Sequence, residues 1–150
     1  MASNVERVQG LFARFNETGE LDLTGVHPDA ELHDRPDVPD ARVWRGPDGA
    51  RAFFEKTAES FDPIRWEPRE YIAAGRHVVV RAHIVAFGAT SGTPIEADEA
   101  QLWTFRDGLV ARLQAFPTLE EAYVTARALD DAEGIEPAPS LSSSPPRAES

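Results

Sequence analysis

Apolar side chains recur at helical spacing in three stretches of this chain. The first follows a capping box, Ser3-x-x-Glu6, and the third follows a second one, Thr118-x-x-Glu121. The second stretch begins at Gly46-Pro47, where proline suits the first helical turn. The apolar face of the first stretch consists of Val5, Val8, Leu11, Phe12 and Phe15. The pattern predicts three amphipathic helices, and the second has the most regular apolar spacing.

Alternating apolar and polar residues between the second and third helices are typical of β-strands. Long strands are predicted at 64–73, 76–87, 95–105 and 109–116, and a short strand is predicted at 30–34. In the strand at 76–87, one face carries Val78, Val80, Ala82, Ile84 and Ala86. The order of the elements predicts an α+β fold, in which an antiparallel sheet has its helices gathered on one face.

Composition divides the chain into a folded unit and a tail. The whole sequence has 150 residues, which is the usual size of one domain. Residues 130–150 contain five acids, one arginine and four prolines, so they bury too little apolar area to offset the entropy lost on ordering. We therefore expect one domain at residues 3–129, followed by a disordered acidic tail, rich in proline and serine, at 130–150.

Charge and cysteine content exclude several functions. The formal net charge is −11, which disfavours nucleic acids and anionic membrane surfaces as partners. The sequence has no cysteine, so disulfides, thiolate nucleophiles and zinc–cysteine sites are ruled out. It also has no apolar run long enough for a transmembrane helix and no apolar signal region. We expect a cytoplasmic protein that works without a metal or another cofactor.

Several short stretches carry a family resemblance. They lie at 15–16, 19–22, 27–34, 44–47, 53–54 and 102–110. They resemble SnoaL-like domains of the nuclear transport factor 2-like superfamily, which also contains ketosteroid isomerases and polyketide cyclases. The resemblance covers about residues 4–128. It implies a curved antiparallel sheet of four long strands and a short one, wrapped as a cone around three helices and an apolar pocket, usually in a homodimer.

Asp34 is the candidate catalytic residue. It follows Leu32 by two positions, so both side chains point to one side of the predicted strand, which we expect to be the pocket side. Its place resembles that of the general-base aspartate of ketosteroid isomerases, and apolar walls would increase the basicity of such a carboxylate. The alternative is that Asp34 only caps the loop beginning at Arg35.

Glu99 and Gln101 are candidate ligand-binding residues. They alternate with Trp103 on a predicted strand, so all three side chains share its concave side. In the functional interpretation they bind a polar handle on an apolar ligand; in the alternative, Glu99 lies in solvent at the pocket mouth or pairs with an arginine. The apolar candidates for ligand contact are Trp44, Phe54, Trp103, Phe12 and Phe15.

The resemblance does not extend to the known catalytic sets. Ketosteroid isomerases place a hydrogen-bonding tyrosine where this chain has Phe12 or Phe15, and an acid where it has Gln101. Polyketide cyclases use an aspartate on the last strand, in a region that here includes Ala115. Ketosteroid isomerisation is therefore disfavoured, because oxyanion stabilisation needs such donors.

Three functions stay open. The first is a cofactor-free isomerase, cyclase or epoxide hydrolase that acts on a small hydrophobic molecule, with Asp34 as base and Gln101 as hydrogen-bond partner. The second is a non-catalytic domain that binds an apolar ligand, and the third is a dimerising scaffold with a filled pocket. A homodimer is predicted in any case through the convex face, from Val79, Val85 and Phe87 with Arg81 and His83.

Overall fold

The computed structural model describes residues 2–142. Its helices are α1 (Asn4–Thr18), α2 (Gly46–Ser60), α3 (Leu119–Ala132) and the short α4 (Pro139–Ser142). Its strands are β1 (Val26–His33), β2 (Val43–Arg45), β3 (Phe61–Ala74), β4 (His77–Gly88), β5 (Pro94–Arg106) and β6 (Leu109–Phe116). The predicted α+β class is confirmed, and within these residues no helix is long and apolar enough to cross a membrane.

The strands form one curved, six-stranded sheet in the order β2-β1-β6-β5-β4-β3. Strands β3 to β6 pair as an antiparallel meander, as predicted. The sheet is not wholly antiparallel, however, because β1 runs parallel to β6. Strand direction follows from how the connections return to the sheet, and side-chain alternation does not report it. The three-residue β2 was not predicted; it pairs with β1 through Leu32 and Trp44.

The N-terminal helix covers the concave face of the sheet. Ser3 Oγ accepts a hydrogen bond from the Glu6 backbone N–H at 3.1 Å, and Glu6 Oε1 accepts one from the Ser3 N–H at 2.9 Å, so the predicted capping box is present. Gly19 ends α1 in the left-handed conformation at φ 77°, which glycine adopts without strain. The helix packs its apolar face against Val78, Val80 and other concave residues.

The third helix lies on the opposite face. Ala122, Tyr123 and Ala126 of α3 pack against Val79 and Leu102, whose side chains point to the convex side. The prediction that all helices gather on one face is therefore wrong for α3. Val79 belongs to a run of three valines with no exposed surface, and such a continuous apolar run is typical of a strand buried on both faces. Val79 is consequently removed from the predicted dimer surface, whereas Phe87 is 38% exposed.

The described part of the predicted tail is ordered. Helix α3 continues to Ala132, and Asp130 is 3% exposed because Arg76 and His77 both bond its Oδ1. Beyond it, Leu141 is fully buried among Val79, Leu102 and other residues of the convex face. The described structure therefore extends the folded unit past the predicted boundary at 129, because a few buried contacts suffice to hold a polar segment. Residues 143–150 lie outside the described residues.

Candidate functional site

A cavity of about 420 Å³ opens between the concave face of the sheet and helices α1 and α2. Its volume falls in the range of small-molecule sites, which disfavours the scaffold with a filled pocket. Aromatic rings make up much of its wall: Phe12, Phe15, Phe53, Phe54, Phe61, Trp66 and Trp103. Its ionisable lining residues are His33, Asp34, Arg35 and Glu99. The site is therefore an apolar chamber with a few charged groups.

The structure brings together nearly all the candidate residues. Asp34, Glu99 and Gln101 line the cavity, as do Phe12, Phe15, Phe54 and Trp103. The exception is Trp44, which is not among the lining residues. Its ring packs edge-on against Phe53 at a centroid distance of 6.0 Å, and the Arg42 guanidinium lies 4.0 Å above it. Trp44 therefore packs behind the lining residue Phe53 and is not itself part of the cavity lining.

Asp34 occupies the cavity wall where β1 runs into the following loop. Its Oδ1 accepts a hydrogen bond from Trp44 Nε1 at 3.1 Å, and its Oδ2 accepts one from the Arg42 backbone N–H at 3.1 Å. Its own backbone N–H donates to the Arg42 carbonyl at 3.0 Å. Asp34 thus closes the loop between β1 and β2 and also faces the cavity, so the two interpretations made from the sequence are compatible.

Glu99 is the most buried acid of the cavity, at 6% exposure. Gln101 Nε2 donates to Glu99 Oε2 at 2.7 Å, and Trp103 Nε1 donates to Gln101 Oε1 at 3.0 Å. Because an indole N–H can only donate, it fixes the Gln101 amide with its NH₂ group toward Glu99. Alternation along β5 places all three groups on one face, as predicted.

Burial raises the pKa of the Glu99 carboxyl above its ordinary value. The hydrogen bond from Gln101, the charge of Arg35 and the Trp66 side chain act in the opposite direction. Raised carboxyl pKa values in clefts are typical of groups that exchange protons near neutral pH. Glu99 therefore has the environment that the sequence-based interpretation had assigned to Asp34.

Arg35 is a site residue that the sequence analysis missed. Its Nη1 lies 3.4 Å from Glu99 Oε1, and its Nε and Nη2 bind the two carboxylate oxygens of Asp37, each at 3.0 Å. The alternative that Glu99 pairs with an arginine is thus correct, although Glu99 is not in solvent. Arg35 thus lies between two acids, Asp37 and Glu99. Only Glu99 lines the cavity, because Asp37 is 54% exposed and is not a lining residue.

Three positions of the cavity wall that matter for catalysis in the resembling enzymes carry side chains that cannot donate a hydrogen bond. Phe12, Phe15 and Ala115 all line the cavity, at the positions where the resembling enzymes carry a tyrosine or an acid. Among residues 2–142, no group of three or more His, Cys, Asp or Glu side chains is placed to hold a metal ion. The polar side chains at the cavity, Glu99, Gln101, Asp34 and Arg35, can exchange protons or form hydrogen bonds with a ligand.

Comparison with protein families identifies the fold family. A family model described as the SnoaL-like domain matches residues 8–113. The chain belongs to the SnoaL-like family. No curated protein sequence matches this SnoaL-like chain significantly. The matched residues include all the predicted site residues, from Phe12 to Trp103.

Solved structures support the same SnoaL-like fold. TerC, co-crystallized with polyporic acid, is 27% identical; the alignment covers 75% of this chain and 88% of TerC, with a TM-score of 0.64. A candidate SnoaL-like polyketide cyclase from Jannaschia sp. CCS1 is 22% identical over 75% of this chain and 83% of its own, with a TM-score of 0.64. A nuclear-transport-factor-2-like protein of unknown function from Burkholderia pseudomallei K96243 is 20% identical over 77% and 90%, with a TM-score of 0.66.

Proposed function

We propose that this protein is a cofactor-free acid–base enzyme that acts on a small hydrophobic molecule, with Glu99 as the proton-exchanging group. The observation that carries the proposal is a carboxyl group 6% exposed in a largely aromatic cavity, with its pKa raised by burial. A carboxylate in such surroundings removes a proton from a substrate more readily than one in water.

Glu99 is a better candidate base than Asp34. Both oxygens of Asp34 already accept hydrogen bonds that close the β1–β2 loop, and the side chain is only half-buried. The groups that bind Glu99 are instead side chains of the cavity wall, namely Gln101, Trp66 and Arg35, and the bond to Arg35 at 3.4 Å is weak. We assign Asp34 as a second carboxylate that positions the loop and adds negative charge.

Gln101 and Trp103 position the Glu99 carboxyl. Gln101 donates to one Glu99 oxygen, and Trp103 holds the Gln101 amide in the orientation that this bond needs. The other Glu99 oxygen faces the weaker Arg35 contact. The aromatic rings provide the apolar walls for the substrate body. The likeness to TerC, co-crystallized with polyporic acid, supports a substrate with a cyclic body.

The base is tested with 5-nitrobenzisoxazole, a small aromatic probe. A carboxylate takes the single C–H proton of the isoxazole ring; the electrons of that bond form the nitrile as the N–O bond breaks, and a coloured phenolate is released, so no other reactant is needed. We expect turnover above background that falls at least about tenfold in Glu99→Gln, the scale of losing a general base.

A matched control removes a carboxylate from the same strand. Glu96 lies on the convex face, where it bonds His83, so Glu96→Gln should leave turnover unchanged. Asp34→Asn should retain most of the turnover if Glu99 is the base. Turnover lost in Asp34→Asn and kept in Glu99→Gln would reverse the assignment, and equal rates in all variants would refute a carboxylate base.

The second candidate function is non-catalytic binding of an apolar ligand. The observation that favours it is the absence of donors at Phe12, Phe15 and Ala115, which leaves a developing oxyanion without stabilisation from those walls. N-phenyl-1-naphthylamine, whose fluorescence rises in apolar sites, measures the pocket directly. Binding of this dye, together with no turnover of 5-nitrobenzisoxazole, would favour this function over catalysis.

A further inference from the structure

We propose that the ligand of this cavity carries a positive charge, as a protonated amine or a quaternary ammonium group attached to an apolar body. The inference rests on the proposed pocket function and adds the charge class of the ligand. It follows from the balance of charges at the cavity wall and from the aromatic rings that surround it.

Carboxylates outnumber cations at the cavity. Asp34 and Glu99 line it, and the only lining cation among the described residues is Arg35. The Arg35 charge is already matched by Asp37, which binds its guanidinium through two hydrogen bonds of 3.0 Å. Bidentate arginine–carboxylate pairs are among the strongest ion pairs. Arg35 is thus shared between Asp37 and Glu99, at the shorter distance to Asp37, and Asp34 has no ion pair among the described residues. The carboxylates at this end of the cavity therefore exceed the single guanidinium that they face.

The remaining ionisable lining residue does not change this balance. His33 binds Glu31 at 2.9 Å, and burial lowers the pKa of its imidazole, which favours the neutral ring. An anionic ligand group would therefore enter a site with excess negative charge and largely apolar walls. A cationic group would be attracted there, and the low polarity of the walls strengthens the attraction.

The aromatic wall suits the same charge. Phe15, Phe54 and Trp66 form one group of neighbouring rings, with centroids 5.0 to 6.1 Å apart. Phe53 extends the group from Phe54, at 5.1 Å. These rings pack against one another and do not enclose an ammonium group between them, but they line the cavity, where aromatic faces attract ammonium groups through the ring quadrupole. An aromatic wall therefore attracts a cationic group, whereas a purely aliphatic wall would offer it no such attraction.

Three benzyl compounds of nearly equal shape test the charge. Benzyltrimethylammonium is cationic, neopentylbenzene is its neutral isostere, and phenylmethanesulfonate is anionic. Their affinities are measured by displacement of N-phenyl-1-naphthylamine from the full chain. We expect the cation to bind at least about fivefold more tightly than the neutral compound, from cation–π and carboxylate attraction, and the anion to bind most weakly.

Two variants assign the preference to this site. Glu99→Gln should reduce the affinity for the cation toward that for neopentylbenzene, with Asp34 and the rings accounting for what remains of the preference. Glu96→Gln on the convex face should change neither affinity. Asp37→Asn releases Arg35 from its ion pair without altering a lining residue. It should therefore lower the affinity for benzyltrimethylammonium and raise the affinity for phenylmethanesulfonate. Because Asp37 is 54% exposed, this substitution does not disturb the core.

The outcomes separate the inference from the function on which it rests. If the dye and neopentylbenzene bind but the cation shows no advantage, or the anion binds more tightly than the cation, the charge inference is wrong and the apolar pocket stands. If none of the compounds and no dye binds, both the pocket function and the charge inference are refuted. A cation preference that survives unchanged in both Glu99→Gln and Asp37→Asn would also overturn the inference.

Discussion

Leu141→Ala tests whether the C-terminal segment belongs to the folded unit. Leu141 is fully buried on the convex face, and truncation of a buried leucine to alanine usually costs about 2–5 kcal/mol of unfolding free energy. The short helix α4 ends the described chain, so it can undock while the rest stays folded. The loss is then limited by the free energy with which the segment docks.

The docking contacts set the size of that limit. Besides the buried side chain, the Leu141 carbonyl accepts a hydrogen bond from Arg127 Nη1 at 2.6 Å, and Ser140 Oγ donates to the Ala73 carbonyl at 3.1 Å. Hydrogen bonds of this kind contribute about 1 kcal/mol each. We therefore expect Leu141→Ala to lower the unfolding free energy by about 1–3 kcal/mol.

Urea unfolding followed by tryptophan fluorescence measures the loss. Ile135→Ala is the matched control, because this residue lies in the same segment but is 39% exposed, and its substitution should cost less than about 0.5 kcal/mol. Equal losses in the two variants would mean that the segment does not dock. The disordered tail predicted from composition would then begin at residue 130 after all.

Three further predictions follow from the fold. Ser3→Ala removes the helix-capping oxygen and should lower the unfolding free energy by about 1 kcal/mol in urea, whereas Glu17→Ala on the exposed end of α1 should change it little. Burial lowers the pKa of His77 below its ordinary 6.5, so the neutral imidazole contributes fully to the unfolding free energy above pH 6.5, and this contribution is lost as the pH falls toward the folded-state pKa. His77→Gln should therefore flatten the decline of the unfolding free energy between about pH 7 and pH 5, and an unchanged slope would contradict this. Self-association through the convex face predicts a dimer by sedimentation at micromolar concentration, which Phe87→Asp should convert to monomer; a monomeric parent protein would refute it.

Local sequence signals predicted the elements better than their arrangement. The strand at 109–116 and the start of α2 at Gly46 were predicted at the residues where they lie. Capping and alternation are properties of neighbouring residues, so a single sequence contains them. The parallel pairing of β1 with β6 and the position of α3 depend on contacts between distant residues. The three consecutive valines of β4 were a readable sign that both faces of the sheet are covered.

The same division applies to the site. Alternation along β5 predicted that Glu99, Gln101 and Trp103 share a face, and their hydrogen-bonded chain follows from that register. The role of Arg35 was hidden, because Arg35 belongs to the loop after β1 and meets Glu99 across 64 positions of sequence. Trp44 was placed in the wrong layer for a similar reason: its strand pairing with Leu32 was not predicted.

The exchange of roles between the two acids has one physical cause. A carboxylate at the end of a strand, such as Asp34, lies next to the backbone N–H groups of the turn that follows, and these bind it. The side chain of a carboxylate within a strand, such as Glu99, projects from the face of the sheet, away from the backbone N–H groups that lie in its plane, and here only side chains bind it. Burial then acts on the mid-strand acid with less compensation. In a curved sheet around an apolar chamber, the perturbed acid is therefore expected within a central strand, and the acid at the strand end is expected to hold the loop.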